Sequence, residues 1–181
     1  MEIKTNRLIL RDLRMSDAKS IAKHANNLNV TKNLLVVPHP YRLSDARSFL
    51  SRNLRKLKKK TRESYSLGIT FKGADEVIGI VTITDVDAFH RTATLGYWLS
   101  EEYWRKGIMS EAARAIIDFA FKKLKLRRIN VSAFTGNPAS NGLIRKLGFT
   151  HEGTSRKKVR SKATGIIHDE HDYGLLREEW K

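Results

Sequence analysis

The sequence predicts a mixed α/β fold (α+β in some schemes), with a sheet that first meanders and then alternates with helices. Two observations predict it. Apolar runs of strand length follow one another at 64–71, 77–86 and 93–100, with turn residues between the first two. Beyond them, helical stripes intervene between strand patterns at 128–136 and 171–180, so the chain must cross over the sheet there. A length of 181 residues suits one domain with a sizeable core, and residues 1–181 are read as a single unit.

Each element has its own signal. The opening "RLILRDL" is a strand pattern, and "RMSDAKSIAKHANNLNV" a helix with Ser16 as its N-cap. Two of the three prolines fall in "VVPHPY", which marks a loop. Next, "LSDARSFLSRNLRKLKKK" is a second helix capped by Ser44, with Ala46, Phe49, Leu50 and Leu54 on one face. "SYSLGITF" and "VIGIVTITDV" flank the turn "KGADE" and form an antiparallel hairpin, which "ATLGYWLS" extends. The strongest helix is "GIMSEAARAIIDFAFKKLKL", whose apolar stripe runs through Met109, Ala112, Ala113, Ile116, Ala120, Phe121 and Leu124. "RINVSAFTG" is a strand, "NPASNGLIRKLGF" a short helix and "HDYGLLREEW" the last strand.

Composition narrows the class. No apolar run approaches the roughly 20 residues of a membrane span, and charge interrupts the N-terminal apolar stretch too early for a secretory signal. The absence of cysteine rules out disulfides, thiolate metal ligands and cysteine nucleophiles, and suits the cytoplasm. A net charge of +16 favours anionic partners. The excess gathers in "RNLRKLKKKTR" (52–62), "KKLKLRR" (122–128) and "RKKVRSK" (156–162), each of which is either a solvated face or a contact for RNA, an acidic protein or a phosphate-bearing ligand. The first cluster lacks aromatics, so it is not a stacking surface for single strands.

The stretch "WRKGIM" (104–109) sits between a strand and the strongest helix. A helix N-terminus presents unpaired N–H groups and the positive end of the dipole; a glycine there allows close approach and flanking cations add charge. By itself that is a common strand-to-helix junction. Further along, "NPASNGLIRKLGF" opens a second helix with Asn137 and Ser140. Together with "TNRLILRDLRMSDA", "PHPYRLSDARSFL", "ATLGYWLSEEYWRKGIMSEA" and "HDYGLLREEW", these blocks resemble the Gcn5-related N-acetyltransferases, in particular the branch acting on ribosomal-protein N-termini. The resemblance covers nearly the whole chain. It implies a mostly antiparallel central sheet flanked by helices, with a splayed pair of strands holding acetyl-CoA.

On that resemblance, Arg105, Lys106, Gly107, Ile108, Met109 and Ser110 wrap the pyrophosphate, and the backbone of Trp98, Leu99 and Ser100 pairs with the pantetheine arm. Asn137, Ser140, Asn141 and Lys146 complete the cofactor side, with Ser140 as the acid that protonates the departing thiolate. Trp104 and Met109 depart from the wider family's pattern around the central Gly107, and Met109 marks the branch. Acyl transfer also needs a polarised carbonyl, which a backbone N–H at Leu99 can supply.

The proton acceptor is less defined. Relatives often carry glutamates where this chain has Thr94 and "RKKVR". Asp85, Asp87 and His90 in one loop, and His168, Asp169, His171 and Asp172 in "HDEHD", are substitutes, and His90 is the candidate base because imidazole titrates near neutrality. A base is dispensable if the amine is an α-amino group, which titrates near 8 unaided. In "HDEHD" only His168, Glu170 and Asp172 share a strand face, and no metal site is assigned. Tyr41 and Trp98 are candidates for the acceptor side; Trp104 and Trp180 are packing residues.

The expected activity is acetyl transfer from acetyl-CoA to a primary amine by direct attack, a protein N-terminal α-amino group being one acceptor. The branch also includes enzymes for amino sugars, polyamines and antibiotics, and the positive charge disfavours polyamines. The other reading is a non-catalytic protein that binds acyl-CoA or RNA, or associates with the ribosome. Between the two lies an acetyltransferase docked on the ribosome or another acidic partner through its basic clusters.

Overall fold

Eight strands form one sheet in the computed structural model, which describes residues 1–57 and 62–181. In chain order the strands are β1 (Glu2–Lys4), β2 (Leu8–Asp12), β3 (Tyr65–Phe71), β4 (Gly79–Asp87), β5 (Thr92–Leu99), β6 (Arg128–Phe134), β7 (Thr150–Arg160) and β8 (Ile167–Leu176). The helices are α1 (Ala18–Ala25), α2 (Leu28–Thr31), α3 (Leu43–Leu57), α4 (Ile108–Lys122) and α5 (Pro138–Lys146). The spatial order is β1-β2-β3-β4-β5-β6-β8-β7. Neighbours are antiparallel except β5 and β6, which α4 connects as a parallel crossover.

The core lies mainly between the sheet and α4. Ala112, Ala113, Ile116, Ile117, Ala120 and Phe121 of α4 pack on Leu8, Leu10, Leu67, Ile69, Val81, Ile83, Ala93 and Leu95. The other face is covered by α1 and α3, where Ile21, Ala25, Ala46 and Leu50 meet Val77 and Ile80. Ile80 and Trp98 are register partners, so Trp98 belongs to this second face. Arg11 crosses beneath α1 and forms a buried, forked ion pair with Asp17, at 2.8 and 3.0 Å.

Several local expectations need correction. Ser16 caps nothing: residues 15–17 form a short 3₁₀ turn, and the Asp17 carboxylate accepts the Arg14 N–H at 2.7 Å instead. The helical pattern after it is broken in two, with Asn27 capping α2 through the Asn29 N–H. Ser44 lies inside α3, and Asp45 accepts the Arg42 N–H at 2.8 Å, because a carboxylate three residues on reaches back better than the serine. Strands β1 and β7 were not legible in the pattern. In β7 charge conceals the strand: "RKKVR" forms part of a sheet edge, where exposed cations discourage pairing with another chain.

Candidate functional site

The sheet opens between β5 and β6. Their parallel pairing runs only through Thr92–Arg128, Ala93–Ile129 and Thr94–Asn130, and beyond it the strands separate. The gap is a cavity of about 890 Å³ lined from β5 by Leu95 to Leu99 and from β6 by Val131 to Phe134. Alternation assigns its walls to the two faces. Leu95, Tyr97, Leu99, Val131 and Ala133 are on the side of α4 and α5; Gly96, Trp98, Ser132, Phe134 and Glu170 are on the opposite side. The cavity therefore passes through the sheet.

Its edge on β5 carries usable backbone groups. The Ser100 N–H donates to Ile78 O at 2.9 Å, so Ser100 turns its polar backbone toward β4. Alternation then turns the Leu99 N–H and C=O toward the gap that β6 vacates. The Leu99 carbonyl is taken by the Trp104 indole N–H at 2.8 Å, which leaves its N–H as the donor on that edge. Gly79 makes the tight β4–β5 approach possible: a Cβ there would fall 2.6 Å from Trp98 O.

At one end of the cavity stands the mouth of α4. Gly107 is its N-cap residue with φ of +72°, and no side chain caps it. Arg105 is also left-handed, with φ of +58°, so the loop curls around the helix N-terminus. Arg7 fastens this loop from β2's approach: its Nη1 donates to Lys106 O at 3.0 Å and its Nε to Glu111 at 2.7 Å. Glu111 also accepts from Thr5 Oγ1 and from the Arg7 N–H. Burial pushes the Glu111 carboxyl up, and these donors outweigh it, so the group stays below the usual carboxylate range. Glu111 therefore stays anionic in the first turn, and its ion pair with Arg7 offsets the charge it places beside the mouth.

At the other wall, α5 begins with Asn137, whose side chain accepts the Ser140 N–H at 3.1 Å. Proline at the first helical position fixes the turn. Ser140 then projects toward β5, where its Oγ lies 2.8 Å from the Tyr97 hydroxyl. Burial pushes the Tyr97 phenol up to about 12, against the opposing pull of the Ser140 hydrogen bond. The pair is two neutral hydroxyls at neutral pH, each able to donate.

A profile of the "Acetyltransferase (GNAT) domain" matches residues 7–150, most of the chain. The chain belongs to the GNAT acetyltransferase family. It is an N-acetyltransferase with acetyl-CoA as co-substrate. An N-acetyltransferase of Bacillus licheniformis named p20 and described as uncharacterized is 32% identical over 177 residues, covering 97% of this chain and 96% of that protein. YdaF of Bacillus subtilis, which carries the provisional name of a ribosomal N-acetyltransferase, is 33% identical over 114 residues, covering 63% of this chain and 60% of that protein. A crystal structure titled as a probable acetyltransferase superposes with a TM-score of 0.85 at 26% identity, covering 99% of both chains.

Within this GNAT fold the cavity gathers Trp98, Leu99, Arg105, Gly107, Ile108, Met109, Ser110, Asn137, Ser140 and Lys146. Four expected residues are not among its walls. Ser100 is buried, with its Oγ 3.0 Å from His24 Nδ1. Lys106 is turned over the Tyr103 ring. Asn141 spends its amide inside, donating to Phe134 O and Asn137 O and accepting from Tyr173. His90 is in the β4–β5 turn, at the far end of β5 from Leu99, roughly 25 Å away at strand rise. Its ring is tied to Asp87 at 2.8 Å, and Asp85 belongs to the same distant turn region. Tyr41 is a core residue under α3 and not a wall.

Three residues escaped the sequence reading. Tyr97 was visible only as part of "LGYWLS", Arg7 as part of a strand, and Glu170 only as sharing a strand face with His168 and Asp172, with no role assigned. Each acquires its place through a partner distant in sequence.

Proposed function

We propose that this enzyme acetylates a protein N-terminal α-amino group, with acetyl-CoA lying through the gap between β5 and β6. The observation that carries this reading is the cavity itself. It crosses the sheet, with an anion-binding helix mouth at one end and a hydroxyl pair on one wall. The pyrophosphate would be held by the α4 mouth with Arg105, and by Lys146 from α5. The Leu99 N–H would polarise the thioester carbonyl; one such donor contributes about 3–4 kcal/mol of transition-state stabilisation. Ser140 would protonate the departing sulfur and draw its replacement proton from Tyr97. The two substrates held together supply much of the remaining acceleration.

The acceptor class is supported by a relative: a "Ribosomal-protein-serine acetyltransferase" of Escherichia coli is 35% identical over 79 residues, 44% of each chain. The basic edge strand β7 suits docking on a ribosome or another acidic partner in the cytoplasm. The basic run at 58–60, part of the first charged cluster, lies outside the described residues. Purified protein mixed with acetyl-CoA and N-terminal peptides should release free thiol and yield acetyl-peptide. Ser140→Ala and Arg105→Glu should each reduce that rate. Thiol release indifferent to both changes would sink the assignment, and salt-sensitive RNA binding without transfer to any amine would favour the non-catalytic reading.

A further inference from the structure

We propose that Glu170 is the carboxylate that receives the acceptor's primary ammonium group and takes the proton as the amine attacks. This rests on the cavity being the acetyl-transfer site. The sheet register supplies the first argument. Glu170 pairs with Phe134 across β6 and β8, which puts its side chain on the face opposite Tyr97 and Ser140. Both faces line one cavity. A thioester threaded through the gap would thus meet its leaving-group donor on one side of the sheet and a carboxylate on the other. Direct attack needs the amine to reach one face of the planar carbonyl while the sulfur stays within reach of its proton donor, and groups on opposite sides of the gap can serve the two needs without competing for the same space.

The second argument is the state of the carboxylates. Glu170 is only 8% exposed, yet it borders the cavity. Among the described residues its partner is Lys158, whose Nζ lies 3.3 Å from Oε2. Asp172, on the same face, is saturated: Ser132, Ser155 and Lys158 donate to it at 2.8, 2.7 and 2.8 Å. Glu101, the other acid lining the cavity, accepts from Asn27 and Asn29 at 2.6 and 3.0 Å. Glu170 retains an oxygen for a ligand, and a buried carboxylate with one cation nearby is best completed by a second charged donor.

The walls around it set the acceptor's chemistry. On this side the cavity is bounded mainly by Val30, Leu34, Leu35, Trp98 and Phe134, with Asn33 beside them and Glu101 already paired to Asn27 and Asn29. His168 closes the Phe134 side, its ring stacked on the phenyl at 4.2 Å. A single primary ammonium on an uncharged, largely apolar group fits. A polycation would place further charge against apolar walls or toward Arg105 and Lys146. In the step, Glu170 first takes one proton from the bound ammonium and passes it to solvent; the freed lone pair then forms the C–N bond, and a second N–H proton passes to Glu170. The C–S bond breaks with its electrons on sulfur, which takes a proton from Ser140. Solvent then removes the proton from Glu170 and restores the hydroxyl pair. The charged and titratable groups facing Glu170 are Lys158 from β7 and His168 and Asp172 from β8; β5 and β6 present Trp98, Ser132 and Phe134.

The test uses the full chain, acetyl-CoA and an N-terminal peptide with an apolar second residue that the wild type acetylates. Glu170→Gln should lower kcat/KM for the peptide by about 100-fold or more at neutral pH. Acetyl-CoA affinity, measured by calorimetry, should stay within twofold, and the deficit should narrow as pH rises and the amine loses its proton unaided. Lys158 keeps Asp172 in that variant, so the fold should hold; Glu170→Asp, which withdraws the oxygen by one methylene, should be intermediate. Peptide kinetics within threefold of wild type, or a loss matched by loss of acetyl-CoA affinity or melting temperature, would overturn the assignment. A wild type that binds acetyl-CoA and acetylates no amine would instead overturn the transfer reading beneath it.

Discussion

Tyr97 and Ser140 are separated by 43 positions and meet as one hydrogen-bonded pair, to which the proposed reaction gives the handling of the leaving group's proton. With the phenol pushed up to about 12 by burial, Tyr97 is protonated at neutral pH and can donate in the proposed step. Tyr97→Phe should therefore lower kcat about 10-fold without a change in pH profile, and Ser140→Ala by about 100-fold, values within the range for general acid–base groups. The double variant should be little worse than Ser140→Ala, because the phenol acts through the serine; stopped-flow thiol release of all three separates these cases. Strict additivity would mean that Tyr97 acts independently. Ser140 was legible through the resemblance, because Asn137 and Ser140 match the Asn-x-x-Ser of that acetyltransferase branch. Tyr97 was not, because no local pattern reports which residue of β5 faces α5. His90 was misplaced for a related reason: residue type indicates a suitable pKa, and only the path of β5 reveals the distance.

At the scale of elements, the α4 mouth depends on a support that the sequence motif does not contain. The loop 105–107 is held by Arg7, which bonds Lys106 O and Glu111 together from the other end of the chain. Arg7→Ala should raise the dissociation constant for acetyl-CoA several-fold while leaving acceptor KM nearly unchanged, as read by calorimetry and steady-state kinetics. Gly107→Ala should weaken binding more, since φ of +72° strains any other residue. Glu111 gives the same clamp a pH dependence. Its carboxyl is held below its ordinary value of 4.5, so the stabilisation is fully present above that pH and is lost as pH falls through the lower folded value. Melting temperatures from pH 6 down to 3 should fall more steeply for the wild type than for Glu111→Gln, which has no such charge to lose. The helix itself was easy to foresee from its stripe, and its packing is equally plain. Ile116, fully buried between α4 and the sheet, should cost about 2–5 kcal/mol in urea unfolding when changed to alanine.

For the whole molecule, topology explains why the cavity is where it is. The antiparallel pairs β3–β4, β4–β5 and β7–β8 are each joined by a short connection, whereas the parallel pair β5 and β6 is connected by the α4 crossover. That crossover leaves from the C-terminal end of β5, so the helix mouth and the strand separation arise at the same corner. Much of this was legible, because the order of strands and helices constrains crossovers. The position of β8 between β6 and β7 was not, since β7 looked like a charged segment. Its exposed cations carry the remaining prediction. Arg156 and Lys157 of β7, with Lys162 just beyond its end, are exposed and are absent from the cavity walls. Reversing all three to glutamate should leave turnover of a free peptide within twofold, because the chemistry lies on other residues. Binding to ribosomes or their RNA should weaken, and the slope of log K against log salt should become shallower by about 2–3, one counterion per lost cation. Sedimentation with ribosomes across a salt series would measure both. An unchanged slope would assign the positive charge of β7 to protecting a sheet edge.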